Sequence, residues 1–136
     1  MELEHAREFI RANHRAVLAT TRSDGRPQLS PVTVGVAADG RVLISTRETA
    51  MKTKNLMRDP RAWLCVMNDG VFGERVQAEG TAEIIRLPEA MELLVDYYRR
   101  VAGEHPDWDD YRNAMRRDQR VIVAITLGRA GPDRSG

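Results

Sequence analysis

The sequence is poor in several residue types that mark particular classes of protein. Its only cysteine is Cys65, so an intrachain disulfide is excluded and a reducing, cytoplasmic location is expected. The formal net charge of +1 is far from the strongly basic charge of nucleic-acid-binding proteins. No apolar run approaches the length of a membrane span, and residues 1–13 lack the apolar core of a secretory signal. We therefore expect a cytoplasmic protein that binds neither nucleic acid nor membrane.

The motifs of several common enzyme classes are also missing. The chain has no GxxxxGK(S/T) phosphate loop, no GxGxxG fingerprint, no HExxH and no paired CxxC. Its three histidines, His5, His14 and His105, do not have the spacing of metal ligands. Asp107 and Asp110 are better explained as helix caps than as a catalytic carboxylate pair. We therefore predict no metal site and assign no catalytic residue.

The pattern of apolar residues predicts one α+β domain over residues 1–136, mainly β. A helix is expected over 1–13, a helical insert over 88–117 and a loose tail over 128–136. Six strands are expected, at 15–21, 28–37, 41–46, 62–67, 75–87 and 119–127. Because the helices are inserted rather than alternating with strands, a small antiparallel barrel fits better than a doubly wound parallel sheet.

Glycine and proline give local predictions within this outline. Asp39-Gly40 is typical of a two-residue type I′ hairpin turn. Gly80, inside a long strand, indicates a bulge or a barrel corner. Pro88 suits the first position of a helix, and Gly103 suits a helix C-terminal cap.

The segment after the third predicted strand is a short helix with an unusual beginning. Thr49 is the expected N-cap, which places Lys52 in the first helical turn and Lys54 just beyond it. A helix N-terminus carries partial positive charge and favours acidic residues, so two lysines there are a misfit. An anion bound between the helix N–H groups and the ammonium groups would explain the misfit. The alternative is a basic face in contact with solvent.

Polar side chains flank this candidate anion site. Ser45 and Thr46 end the strand before the basic helix, and Gln28 and Ser30 begin the neighbouring hairpin strand. Hydroxyl and amide groups there suit a heteroaromatic ring or a ribityl chain, while Lys52 binds a phosphate. Ordinary polarity of strand edges is the alternative.

Three tracts resemble a known family. The order of ATTRSDGRPQLSPV, RVLISTRETAMKTKNLMRDPRAWLCV and VQAEGTAEI resembles the split-barrel flavin-binding superfamily that includes pyridoxamine 5′-phosphate oxidase. It resembles more closely the actinobacterial branch that uses the deazaflavin coenzyme F420. The tract YYRRVAGEHPDWDDYRNAMRRDQRVIV is similar to a helical insert found in one group of those proteins.

The resemblance implies a six-stranded, Greek-key split barrel that forms a homodimer with cofactor sites along the subunit interface. It implies hydride transfer between reduced F420 and a small electron-poor substrate. The alternatives are an FMN-binding flavoprotein and a carrier of a cofactor or tetrapyrrole without turnover. A pyridoxal-forming oxidase is disfavoured because the chain lacks the C-terminal extension of those enzymes.

The same resemblance implies a set of cofactor-binding residues. The phosphate is expected near Lys52 and Thr53, and the ring beside the strand that follows Pro27. The full set is Lys52, Thr53, Ser45, Thr46, Thr49, Gln28, Ser30, Pro31 and Phe72.

Overall fold

The protein was analysed as a computed structural model, which describes residues 1–70 and 73–131. Within these residues the chain forms α-helices and β-strands that alternate irregularly. They are α1 (Leu3–Ala12), β1 (Arg15–Thr21), β2 (Pro27–Thr33), β3 (Gly35–Val36), β4 (Val42–Arg47), α2 (Met51–Arg58), β5 (Arg61–Met67), β6 (Arg75–Ile85), α3 (Met91–Ala102), α4 (Trp108–Arg117) and β7 (Arg120–Gly131).

All the strands belong to one antiparallel sheet in the order β2-β1-β5-β6-β7-β4-β3. Val34 separates β2 from β3; it is 0% exposed, and its N–H donates to the carbonyl of His14 over 2.8 Å. Strand β2 pairs with β1, whereas β3 pairs with β4. The chain therefore passes from one edge of the sheet to the other at a single residue, and this curls the sheet into a split barrel. The strand predicted over 28–37 is thus two strands, which makes seven rather than six in the described residues.

Two apolar clusters lie on opposite sides of the curled sheet. The barrel interior contains Leu18, Ile44 and Leu64, together with Ile10 of α1. The second cluster packs α3 and α4 against the outside of β4 and β7. Alternate residues of β4 therefore face different surroundings, because side chains of a strand alternate between its two faces.

The Asp39-Gly40 turn is not the predicted type I′ hairpin. The Ala37 N–H donates to the Arg41 carbonyl, and the Gly40 N–H donates to the Ala37 carbonyl, each over 2.9 Å. Gly40 has φ of 90°, whereas Asp39 does not have positive φ. A three-residue loop with one left-handed glycine replaces the two-residue turn, since a type I turn followed by a left-handed residue also suits the strand twist.

The bulge predicted at Gly80 is confirmed, although the extra residue is on the partner strand. Glu79 pairs with Arg129 and Gly80 pairs with Leu127, so Gly128 of β7 has no counterpart in β6. Glycine is needed at Gly80 because this residue lies against the backbone of β7 beside the bulge, where a Cβ would be 2.1 Å from the Thr126 carbonyl oxygen.

Several helix and strand ends differ from the predictions. Thr49 is not the N-cap of α2; Ala50 is, and it makes no side-chain cap bond. Helix α3 begins at Met91 rather than at Pro88, because residues 87–90 form a turn first. Strand β6 ends at Ile85, and β7 continues to Gly131 where a loose tail was predicted.

The predicted caps of the insert are correct. The Asp110 N–H donates to the Asp107 carboxylate over 3.1 Å, and Gly103 caps α3 with φ of 85°. The reciprocal bond of a capping box is absent here, because the Asp107 N–H donates to Nδ1 of His105 over 2.9 Å instead. No helix within the described residues is both long and apolar enough to cross a membrane.

Candidate functional site

A cavity of about 500 Å³ lies where β4 ends, between the edge strand β2, the start of α2 and the side of α3. Its volume lies within the usual range for small-molecule sites. The described residues that line it are Arg15, Ala16, Val17, Pro31, Val32, Thr33, Ser45, Thr46, Lys52, Met67, Tyr97 and Arg120. None of these described residues is acidic.

The start of α2 delivers Lys52 to this cavity. Ala50 provides no side-chain cap and the first turn of α2 has no acidic residue, so the first N–H groups of the helix lack an acceptor within it. The Thr53 hydroxyl donates to the Arg47 carbonyl over 2.7 Å and so fixes the first turn to the end of β4. Lys52 is half-buried at the cavity, whereas Lys54 is exposed and does not line it.

Four of the sequence-predicted residues share the cavity: Pro31, Ser45, Thr46 and Lys52. Ser45 and Thr46 reach it from opposite faces of β4. Thr46 is buried on the face that carries Ile44, whereas Ser45 is on the face that carries Leu43 and faces α3.

The remaining predicted residues have other surroundings. Thr53 is buried, and its hydroxyl bonds to the end of β4. Thr49 is exposed and precedes α2. Gln28 accepts a hydrogen bond of 2.8 Å from the Asn55 amide. Ser30 follows Gln28 on the same face of β2, paired with the buried Leu18. Phe72 lies outside the described residues.

Sequence reasoning missed eight of the residues that line the cavity, among them Arg15, Tyr97 and Arg120. The Tyr97 hydroxyl donates to the Thr33 carbonyl over 2.9 Å and so joins α3 to the edge strand β2. Burial raises the pKa of Tyr97, while the backbone of Ser45 and the charge of Arg120 act in the opposite direction. The only sequence feature that pointed to a role for Tyr97 was its ring hydroxyl at a position next to the apolar residues of the predicted helix.

The cavity carries positive charge that nearby acids do not balance. Arg15 pairs with the exposed Asp69 over 3.0 Å. Within residues 1–70 and 73–131, neither Lys52 nor Arg120 has a carboxylate within ion-pair distance, and the buried Nε of Arg120 has no hydrogen-bond acceptor. An orphaned guanidinium donor beside an ammonium group and two hydroxyls is the donor set that suits a phosphate or carboxylate.

The cavity opens onto an apolar face of the sheet. Strands β2, β1 and β5 turn Pro31, Val17 and Cys65 to the same outer face, since Val17 pairs with both of the others. On that face Ala19 is flanked by Leu29, which is 67% exposed, and by Trp63. We call this surface, formed by Val17, Ala19, Leu29, Pro31, Trp63, Cys65 and Met67, the outer sheet face. Cys65, on this face, is half-buried.

Comparison with known proteins decides the family. The sequence model of the pyridoxamine 5′-phosphate oxidase family matches residues 3–130. The chain belongs to that family. A solved member of similar sequence is the conserved hypothetical protein Rv2991 from Mycobacterium tuberculosis, at 29% identity and a TM-score of 0.78 over 96% of this chain and 82% of that one. The resemblance inferred from the sequence is confirmed for family and fold.

Other solved structures share this fold, and their names refer to different functions. An F420 reductase has 17% identity and a TM-score of 0.70, over 91% of this chain and 94% of that one. A haem-binding protein from Mycobacterium smegmatis has 23% identity and a TM-score of 0.70, over 97% of this chain and 55% of that one. At these identities the likeness shows the fold alone.

Proposed function

We propose that the protein is a cytoplasmic, F420-dependent oxidoreductase that reduces a small electron-poor molecule. The observation that carries this proposal is the cavity at the end of β4, where Lys52 and Arg120 lack acidic partners within the described residues. Such a site favours a ligand with an anionic group. Membership of the pyridoxamine 5′-phosphate oxidase family and the shared fold of an F420 reductase support the choice of a deazaflavin.

Each residue has a proposed role in binding. Lys52 and the first N–H groups of α2, including that of Thr53, hold the cofactor phosphate. Ser45 and Thr46 donate hydrogen bonds to the ribityl chain, and Thr49 lies beside that chain. A bound deazaflavin supplies the hydride chemistry, and the protein supplies binding, orientation and exclusion of water.

Strand β2 and the loop after β5 are proposed to border the ring. Pro31 lines the cavity directly. Gln28 and Ser30 lie farther along β2 on its other face, and the Gln28 amide nitrogen is available once its oxygen accepts from Asn55. Phe72 is proposed to flank the ring from the loop.

The proposal is tested by titrating the purified protein with F420 and with FMN in parallel, following ligand fluorescence. We expect saturable binding of F420 with a lower dissociation constant than that of FMN. Tight FMN binding without F420 binding would instead make the protein an ordinary flavoprotein of this family.

A carrier that binds without turnover is the second candidate, favoured by the absence of an assigned proton donor at the cavity. Stable reduced F420 bound to the protein, unoxidised by a panel of quinones, nitro compounds and unsaturated ketones, would support the carrier. Haem is a weaker ligand candidate, because no histidine or cysteine is among the described lining residues and the Tyr97 hydroxyl already donates to Thr33.

We also propose that the outer sheet face joins two copies of the chain in a twofold dimer. Val17, Pro31 and Met67 belong both to this face and to the cavity lining. A second copy on the face would thus cover the open side of the cavity and enclose the ligand. Apolar area of this kind is typical of homodimer interfaces.

Leu29→Asp is expected to convert the dimer to monomer, because it places a carboxylate within the apolar proposed interface. Leu29 is 67% exposed in the single chain, so the fold should tolerate the change. The dimer dissociation constant, measured by analytical ultracentrifugation, should rise at least about tenfold, the effect of roughly 1.4 kcal/mol.

Met57→Asp is the matched control, since Met57 is 42% exposed on α2, away from the outer sheet face. It should leave the dimer intact. An unchanged dissociation constant for Leu29→Asp, or a purely monomeric wild type that binds F420, would contradict the proposed interface.

A further inference from the structure

Arg120 is a half-buried guanidinium whose charge is not balanced by its neighbours. It is the first residue of β7, and its Nε is buried without a hydrogen-bond acceptor. Two acids that flank this strand pair in the chain, Glu48 after Arg47 and Asp118 before Arg120, form ion pairs with other arginines. Glu48 pairs with Arg86 over 2.5 Å, and Asp118 pairs with Arg117 over 3.7 Å.

Among the described arginines, Arg120 is unusual in having a buried side-chain donor without a hydrogen-bond acceptor. Most arginines of the described residues have a carboxylate within ion-pair distance, such as Asp24 for Arg26 and Asp39 for Arg41, each over 2.8 Å. Those pairs are exposed to solvent. A buried donor without an acceptor lowers the stability of the fold. A residue with such a donor is therefore a candidate for binding a ligand that supplies the acceptor.

The backbone places Arg120 next to the start of α2. Arg120 pairs with Arg47 at the end of β4, and the Arg47 carbonyl accepts the hydrogen bond that fixes Thr53 in the first turn of α2. Lys52 and Arg120 therefore line the same cavity from two adjacent elements.

Arg120 lies at the junction between the helical insert and β7. Gln119, between α4 and β7, has φ of 53°, the left-handed conformation that side chains rarely adopt. Its carbonyl accepts from the Glu48 N–H over 2.9 Å, which holds the start of β7 against the segment after β4. Ser45 and Tyr97 line the cavity on the same side as Arg120.

We propose that Arg120 is a second anion-binding residue of this cavity, and that it holds the phosphate of the bound cofactor jointly with Lys52. The identity of the ligand rests on the proposed function; the anion-binding role of Arg120 does not. A guanidinium can donate two parallel hydrogen bonds to one phosphate, which an ammonium cannot.

The test compares FMN with riboflavin, which differ only in the phosphate, and F420 with its deazaflavin-ribityl fragment, which lacks the whole phosphate-bearing side chain. The ratio of the two dissociation constants isolates the contribution of the anionic group from that of the ring. In Arg120→Gln the dissociation constant of the form without phosphate, divided by that of the phosphorylated form, should fall by roughly 10- to 150-fold, the range for losing a charge-assisted hydrogen bond. Arg120→Lys should give an intermediate ratio.

Arg116→Gln is the matched control, because it removes the same charge from a nearby exposed arginine on α4 that bonds Asn113. Its ratio should equal that of the wild type. The melting temperature of ligand-free Arg120→Gln should be equal to or above that of the wild type, since the substitution removes a half-buried positive charge that has no carboxylate partner within the described residues. An unchanged ratio, or a melting temperature that falls with equal weakening of both cofactor forms, would overturn the proposal.

Inorganic pyrophosphate separates this proposal from the proposed function. If the wild type binds neither flavin nor deazaflavin, the proposed function fails. The anion-binding role of Arg120 is then tested by adding pyrophosphate and measuring the melting temperature. Pyrophosphate should raise the melting temperature of the wild type but not that of Arg120→Gln. A rise that persists in Arg120→Gln, or no rise in the wild type, would overturn the role of Arg120.

Discussion

Lys52→Ala is expected to weaken F420 binding by about 1.5–3 kcal/mol, the range for a hydrogen bond to a charged group. This corresponds to a roughly 10- to 150-fold higher dissociation constant. Lys52 has no carboxylate partner within the described residues, so its removal breaks no ion pair that stabilises the fold. The dissociation constant is measured by fluorescence titration at fixed ionic strength.

Lys54→Ala is the matched control for Lys52→Ala. Both lysines belong to α2 and both substitutions remove one charge, but Lys54 is exposed and does not line the cavity. Lys54→Ala should change the dissociation constant by less than about threefold, the small effect of a screened surface charge. Equal effects of the two substitutions would mean that α2 acts only through its overall charge, and the phosphate site would have to lie elsewhere.

The fold was largely predictable because its strands have local signals. The Asp39-Gly40 turn signal separated two of the apolar runs, and the apolar pattern within each run predicted a strand. The break at Val34 was not predictable. Its neighbours 28–37 alternate as one strand, and only the closure of the barrel, a contact between distant parts of the sheet, makes β2 and β3 pair with different partners.

The misplaced helix starts have a similar cause. Thr49 has the better capping side chain, yet Ala50 is the N-cap of α2, and the Thr53 hydroxyl fixes the first turn of the helix by donating to the Arg47 carbonyl. Capping preferences contribute about 1 kcal/mol, and tertiary contacts of this kind can outweigh them. Sequence preferences therefore located α2 within a residue or two but did not fix its first turn.

The candidate site was only partly predictable. The misfit of Lys52 with the helix dipole, and the hydroxyls of Ser45 and Thr46, are local features, and they lie together at one cavity. Arg120 could not be recognised in the same way. Charged residues surround it in the sequence, and only the fold shows that Glu48 and Asp118 are paired with other arginines.

Gly80→Ala is expected to destabilise the fold by about 3 kcal/mol or more, the scale of a severe steric clash in a packed region. A Cβ added at Gly80 would lie 2.1 Å from the carbonyl oxygen of Thr126 and 2.9 Å from its carbonyl carbon. Both atoms are backbone of the paired strand β7, so no side-chain rotation relieves the clash. The free energy of unfolding, from urea denaturation monitored by circular dichroism, measures the loss.

Gly128→Ala, on the other side of the same bulge, separates the clash from the general effect of replacing a glycine. Neither glycine has positive φ, so alanine meets no backbone strain at either position, and a Cβ at Gly128 would have only the Glu79 carbonyl oxygen nearby, at 3.8 Å. Gly128→Ala should therefore change the free energy of unfolding by less than about 1 kcal/mol, in the stabilising direction, because alanine restricts the unfolded chain. Similar losses in both variants would show that the bulge needs glycine for flexibility. A loss confined to Gly80 would show that β6 and β7 can pair past the bulge only where one strand presents no side chain.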